Sequence, residues 1–270
     1  MPDLLLRDVR LDATGPAVDL TIRGGRIDTV GAGPQDWDGP SVDGAGRLAM
    51  PGLVDGHAHV DKTTWGLPWR RHSAEPGSLA ALIRNEREGR RELPPVAERA
   101  GAVLDAYIAN GTTLLRTHVD VDPENGVTAV EGVAEAAAER RDQIEVQIVA
   151  FPQSGLLTAP GTAALLEAAL SNGADLVGGL DPAGIDNDPV AHLDLVFELA
   201  DRHQRGLDLH LHDRGTLGRW ELGLIIERTR ALELHGRVTV SHTFCLCDGD
   251  PTIAALIEDL AEAGIGLATV

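Results

Sequence analysis

The chain of 270 residues has little cysteine, few aromatic side chains and almost no lysine. Its two cysteines, Cys245 and Cys247, stand too close together to act as a structural cross-link, so we expect a reduced, cytoplasmic protein. The sequence shows no signal-peptide pattern and no apolar run long enough to span a bilayer. Only 3% of the residues are aromatic, so aliphatic side chains must form most of the core.

Positive charge is also scarce, because 23 basic residues stand against 42 acidic ones and the formal net charge is -19. Nucleic acids and anionic membranes both require a basic surface, so this charge argues against either as a partner. Lys62 is the only lysine in the chain. Since it follows His59 by three residues, we expect it to belong to a functional site.

The stretch that follows Leu53 and Val54 contains two histidines, His57 and His59, separated by one residue. On a β-strand this spacing directs both imidazoles to the same face. A neutral imidazole is the commonest protein ligand for Zn²⁺ and also suits Fe²⁺. The pair favours a metal site, but two polar residues at a strand end by chance would show the same spacing.

The chain divides into two parts with different patterns. Residues 1–50 alternate short β patterns with turns and predict a small β module. Residues 51–270 alternate strands with helices, which is typical of βαβ units and a parallel sheet. We predict strands that begin at Leu53 and then cover 112–121, 145–151, 175–180, 207–212, 238–243 and 265–270. The predicted helices cover 78–91, 95–110, 129–141, 161–172, 189–204, 219–235 and 251–263.

Polar side chains recur where the predicted strands end. Seven strands would fit a doubly wound sheet, but these polar ends favour an α/β fold of the (β/α)₈ TIM-barrel type, whose sites lie at the C-terminal ends of the strands. On this interpretation residues 51–270 carry strands one to seven, and strand eight is absent. The polar residues at the strand ends are His57, His59, His118, Gln153, His210, His212, Asp213 and His242. Each alone is explained by an ordinary polar strand end, but together they predict a metal site.

Two long strings resemble the amidohydrolase superfamily, and within it the cytosine deaminase branch: RTHVDV over 116–121 and QIVAFPQ over 147–153. The resemblance implies a distorted TIM-like barrel with a flanking β-sandwich, of which residues 1–50 are the N-terminal part. It also implies one divalent metal ion, Zn²⁺ or Fe²⁺. The implied metal ligands are His57, His59 and His210, with His242 beside the metal and Gln153 in contact with the substrate.

The sequence departs from the family pattern at two places. Asp213 stands where cytosine deaminases carry a proton-transferring glutamate, and it follows His212. We therefore expect Asp213, His212 and Lys62 to share the proton transfer and the orientation of the substrate, and cytosine itself is in doubt. The second departure is the family's metal-ligating aspartate at the end of strand eight, which would lie beyond Val270.

The predicted function is a metal-dependent hydrolase that removes an amino or alkylamino group from a nitrogen heterocycle, with water as the second substrate. Relatives in this branch act on other rings, including the triazine N-isopropylammelide. Two alternatives stay open: a cyclic-amide hydrolase on the same site, and a truncated, inactive chain that aggregates because the edges of strands one and seven lack partners. At full length we expect a homo-oligomer. Whether the coding sequence continues past Val270 into an aspartate-bearing strand would distinguish the truncated, inactive chain from an active enzyme.

Overall fold

The computed structural model describes residues 3–69, 79–90 and 92–269 of the chain. The chain forms two compact units, Met1–Leu53 and Val54–Val270. Two predicted elements lie partly outside the described residues: the two ends of the helix over 78–91 and the last residue of the strand over 265–270. The same holds for part of the segment 65–72, which is rich in Trp, Pro and Arg and for which the sequence predicts a loop.

The first unit is a four-stranded sheet with the strand order β3-β2-β1-β4. Its strands are β1 Leu4–Val9, β2 Val18–Arg23, β3 Arg26–Gly31 and β4 Ser41–Asp43. The β2–β3 hairpin turns at Gly24 and Gly25, whose φ values of 55° and 79° are left-handed and favour glycine. The separate β module is confirmed, although the short strand β4 was not predicted.

The second unit is a seven-stranded sheet in which the strands follow one another in chain order. The strands are β5 Leu53–Ala58, β6 Thr112–Asp120, β7 Glu145–Phe151, β8 Leu176–Leu180, β9 Gly206–Leu211, β10 Val238–His242 and β11 Gly266–Ala268. The pairs from β6 to β11 are parallel. Parallel strands in chain order with helices between them confirm the predicted distorted TIM-like barrel, which has seven strands in the described residues. In such a barrel the C-terminal ends of the strands meet at one edge.

Seven α-helices are present in the described residues: α1 Leu79–Arg90, α2 Val96–Ala109, α3 Thr128–Ala138, α4 Thr162–Ser171, α5 Pro189–Arg202, α6 Gly215–Ala231 and α7 Ile253–Glu262. Helix α6 begins four residues before the predicted start. Gly218 makes this possible, because a Cβ there would lie 2.2 Å from the carbonyl oxygen of Asp213. None of the described helices has the length and apolar character needed to cross a membrane.

The buried carboxylate of Asp186 ties together the loops that follow β7 and β8. It accepts hydrogen bonds from the backbone N–H groups of Leu156, Leu157 and Thr158 at 3.0–3.1 Å. His192 Nδ1 lies 2.6 Å from its Oδ2. Burial alone would raise the pKa of Asp186, but the hydrogen bonds from His192 and the backbone outweigh it and hold the pKa well below its ordinary value.

We expect Asp186→Asn to lower the free energy of unfolding by about 2–4 kcal/mol near neutral pH, because several charge-assisted hydrogen bonds are lost. Since the folded-state pKa of Asp186 is lowered, its contribution is present above the unfolded-state value of about 4 and is lost as the pH falls below it. Urea unfolding at a series of pH values measures this difference.

The matched control is Asp201→Asn, which changes an exposed aspartate on the last turn of α5. This control should alter the free energy of unfolding by less than about 0.5 kcal/mol. Equal stability of the Asp186→Asn variant and the wild type at neutral pH would contradict the role assigned to Asp186.

Candidate metal centre

Four histidines converge at the C-terminal ends of β5, β6 and β9. One ring nitrogen from each of them lies within 4.8 Å of the others; the four are His57, His59, His118 and His210. The Nε2 atoms of His59 and His210 are 3.3 Å apart. Two nitrogens bound to a tetrahedral Zn²⁺ at about 2.0–2.1 Å are separated by about 3.3 Å, so this spacing fits a shared metal ion.

The lowered pKa values of three of these histidines, His57, His59 and His210, also fit a metal site. Burial is the main reason why the pKa of His57 is lowered to about 4, and the neighbouring His118 adds to this effect. Burial is likewise the main reason why the pKa values of His59 and His210 lie well below the ordinary value for histidine. Neutral imidazole is the form that binds metal, so the donor set suits Zn²⁺ or Fe²⁺.

The buried carboxylate of Asp208 orients two of the histidines, His118 directly and His57 through Ser241. Its Oδ1 lies 3.1 Å from His118 Nε2 and accepts a hydrogen bond from Ser241 Oγ at 2.9 Å. The Ser241 oxygen lies 3.0 Å from His57 Nδ1. Because the serine proton goes to Asp208, His57 Nδ1 must be the donor in this contact, and its Nε2 keeps a lone pair for a metal.

Sequence reasoning placed His118 at a strand end but did not include it among the metal ligands, and it missed Asp208. A signal for Asp208 was present in β9, because the alternation of a strand directs Asp208 and His210 to the same face. Its importance could not be seen from that alternation alone. The partners of Asp208 come from β6 and β10, far away in the sequence.

His242 lies at the edge of the four-histidine cluster. Its ring centroid is 4.9 Å from that of His57 and 4.8 Å from that of His210. It stacks on His212 with the centroids 4.1 Å apart. The φ values of His242 and Thr243 are 73° and 46°, a left-handed conformation that costs energy for residues other than glycine. Such backbone strain is common at functional sites, where the surrounding structure maintains it.

Asp181 fixes the position of His212 through two hydrogen bonds. The backbone N–H of His212 donates to Asp181 Oδ1 at 2.6 Å, and His212 Nδ1 lies 2.8 Å from Asp181 Oδ2. Asp181 is buried at the end of β8. A carboxylate that accepts the Nδ1 proton sets the tautomer of the imidazole and leaves Nε2 for another partner.

The structure places Asp213 beside Glu221 of α6, and Asp213 is not among the described residues that line the cavity. Burial is the main reason why the pKa of Asp213 is raised, and the charge of the nearby Asp181 adds to this effect. Burial also raises the pKa of Glu221 to about 7, and the charge of Asp213 adds to this effect. The two side chains therefore favour a shared proton between them at neutral pH.

The histidines open into a cavity of about 460 Å³, large enough for a small heterocycle. It is lined by His57, His59, Lys62, Glu86, Phe151, Gln153, Leu180, His210, His212 and His242. Of the eight residues to which the sequence analysis assigned a role, seven therefore line this cavity, and Asp213 is the exception. Glu86, which lies on α1, was not predicted.

Lys62 is held at the wall of the cavity by a fully buried carboxylate. Its Nζ lies 2.7 Å from Asp120 Oδ1 and 5.6 Å from the centroid of the Phe151 ring. Burial alone would lower the pKa of Lys62, but the charges of Asp120, Asp61 and Glu86 outweigh it and raise the pKa above the ordinary value. Lys62 is therefore a fixed cation at neutral pH.

The chain has informative similarities to known proteins. The family model described as amidohydrolase family matches residues 41–269. The N-isopropylammelide isopropyl amidohydrolase of Pseudomonas sp. is 35% identical over 257 residues, which cover 91% of this chain and 62% of that protein. The chain therefore spans about three fifths of the length of this relative.

Two crystal structures of other proteins closely resemble the fold of this chain. N-isopropylammelide isopropylaminohydrolase from Burkholderia multivorans matches with a TM-score of 0.93 and 46% identity, over 100% of this chain and 68% of that one. The 5-methylcytosine deaminase from Klebsiella pneumoniae, liganded with 5-fluorocytosine, matches with a TM-score of 0.81 and 29% identity, over 97% of this chain and 64% of that one. With the family model matching most of its length, the chain belongs to the amidohydrolase family.

Proposed function

We propose that the protein at its natural full length is a metal-dependent hydrolase that removes an amino or alkylamino group from a nitrogen heterocycle. The observation that carries the proposal is the cluster of four histidines, three of which line a cavity that also presents Lys62, Gln153 and His212. His57, His59 and His210 would hold one Zn²⁺ or Fe²⁺ ion. A divalent ion bound there lowers the pKa of water, so that hydroxide is available near neutral pH.

The residues around the cavity suit the proton transfers of such a reaction. The stacked rings of His212 and His242 offer two proton carriers at one wall. Asp181 holds the Nδ1 proton of His212, so its Nε2 can accept a proton from the attacking water and pass it to a ring nitrogen. The second proton of the water can follow the same route to the departing amine. Asp213, which the sequence predicted for this role, would act only through its neighbours, because its carboxyl group faces Glu221.

Gln153 and Lys62 suit the orientation of the substrate. The carboxamide of Gln153 offers both a donor and an acceptor to a ring amide. Lys62 is less suited to proton transfer, because its raised pKa keeps it protonated. Its ammonium group would instead donate hydrogen bonds to a ring oxygen.

The comparisons favour an alkylamino-triazine over cytosine as the substrate. The relatives with 46% and 35% identity are both named for N-isopropylammelide, whereas the 5-methylcytosine deaminase is 29% identical. The position of Asp213 agrees with this preference, because the glutamate of cytosine deaminases is replaced here by a shorter acid that lies beside Glu221 and is not among the described residues that line the cavity. Amine release from a panel of triazines, pyrimidines and purines tests the proposal.

In that panel we expect release of isopropylamine from N-isopropylammelide by the metal-loaded, full-length protein. Ring opening of cyclic amides without amine release would identify a cyclic-amide hydrolase instead. If no amino or alkylamino heterocycle is hydrolysed, the proposed function is wrong.

We expect His210→Ala to weaken Zn²⁺ binding by at least about tenfold, since the loss of a ligand should exceed the 10- to 100-fold effect of altering a residue that merely orients one. Metal content after dialysis against a weak chelator measures the effect. His203→Ala is the matched control, because His203 follows α5 and contacts Glu167 outside the cluster. Equal metal content in the two variants would remove His210 from the ligand set.

We expect Lys62→Met to lower kcat/KM by roughly 10- to 100-fold, because a charge-assisted hydrogen bond to the substrate is lost. Arg90 still neutralises Asp120 in this variant, so the metal content should change little. Steady-state kinetics with metal analysis on the same samples checks both expectations. Unchanged kinetics would show that Lys62 has only a structural role.

A further inference from the structure

Glu86 supplies the only carboxylate among the described residues that line the cavity. It lies on α1, in a segment that no motif singled out, and its side chain is 36% exposed. A carboxylate at the wall of a small cavity loses hydration when a ligand enters, so it favours ligands that offer it a hydrogen-bond donor.

The position of Glu86 is set by a network of charges that we call the Asp120 network: Asp120, Lys62, Arg90 and Glu86. Asp120 is fully buried and binds Lys62 through Oδ1 and Arg90 through Oδ2. Arg90 Nη2 lies 3.4 Å from Glu86 Oε1, one helical turn away on the same face of α1. The buried carboxylate thus anchors the helix that carries Glu86 to the cavity.

Lys62 and Glu86 approach each other without forming a direct hydrogen bond. The distance from Lys62 Nζ to Glu86 Oε1 is 3.6 Å, beyond the usual range of about 2.7–3.2 Å. Glu86 Oε1 is the oxygen that approaches both cations, 3.6 Å from Lys62 Nζ and 3.4 Å from Arg90 Nη2. The cavity therefore presents a hydrogen-bond donor and an acceptor side by side.

A lactam edge, –CO–NH–, is complementary to such a pair. Its nitrogen and oxygen are about 2.3 Å apart by covalent geometry, and its N–H and C=O bonds point in nearly the same direction. The carboxylate can accept the N–H while the ammonium donates to the C=O. Partners 3.6 Å apart bend both hydrogen bonds only slightly, within the preferred angles above about 150°.

We propose that Lys62 and Glu86 form a lactam-recognition pair, and that Glu86 is the specificity-determining residue that selects rings with a free N–H beside a carbonyl group. This inference rests on the proposed function, whose substrate class it narrows to oxo-substituted rings. A ring nitrogen with a lone pair would face the carboxylate unfavourably, and an N-alkyl group would leave it desolvated without a donor.

The test uses two ligands that lack an amine to be removed: cyanuric acid, which has three lactam edges, and its N-trimethyl derivative, which has none. Isothermal titration of the metal-loaded, full-length protein is carried out at a mildly acidic pH that keeps the cyanuric acid ring neutral. The wild type should prefer cyanuric acid. In Glu86→Ala this preference should fall by roughly 10- to 100-fold, because a charge-assisted hydrogen bond is lost.

Two further variants support the comparison. Glu86→Gln keeps the shape and one acceptor oxygen but not the charge, so it should show an intermediate loss even if Glu86→Ala folds poorly. Glu88→Gln changes an exposed glutamate on the same helix and should keep the full preference.

A wild type without preference would overturn the inference. So would a preference that Glu86→Ala and Glu86→Gln both retain, since Glu86 would then be only an ion-pair partner of Arg90. Because binding requires no bond cleavage, the two proposals can fail separately. If the Glu86 variants lose the preference for cyanuric acid but the wild type releases no amine, the proposed reaction is contradicted and the recognition pair is not. If the wild type releases amine but the variants keep the preference, only the recognition pair is contradicted.

Discussion

The candidate metal centre depends on the ion pair between the buried carboxylate of Asp208 and Arg116. A buried charge is tolerated only when it is paired, and removing one partner of such a pair typically costs about 3–5 kcal/mol. Arg116 Nη1 supplies the pairing charge at 2.8 Å. The same guanidinium also donates to Thr239 and Gln147, so it joins β6, β7, β9 and β10 inside the barrel. Burial would raise the pKa of Asp208, but His118 and Arg116 outweigh it and hold the pKa below its ordinary value.

A second buried carboxylate, Asp120, organises another part of the cavity wall. Asp208 supports the histidines, whereas Asp120 holds Lys62 and Arg90 and, through them, helix α1. The two carboxylates thus divide the site into a wall that suits a metal and a wall that suits the substrate. Neither faces the cavity as a lining residue in the described part of the chain, yet each sets the position of those that do.

The placement of Asp213 shows where spacing along the chain stops being informative. The position of a residue after a strand indicates which loop carries it, but not the direction in which its side chain turns in that loop. Here Glu221 of α6 and the backbone of Gly184 both lie next to the carboxyl group. Both partners belong to other parts of the chain, so the spacing from His210 could not reveal them.

The sequence by itself determined the order of strands and helices in the barrel and which residues stand at the strand ends. Alternation along a strand places side chains on faces, and parallel pairing brings the ends of successive strands to one edge. These local rules were enough to bring His57, His59, His210 and His242 into one region. Only the tertiary structure decided that His118 and Asp208 join them, because those contacts cross the interior of the barrel. It also decided that Glu86 reaches the cavity, since α1 is anchored by a buried charge 30 residues further along the chain.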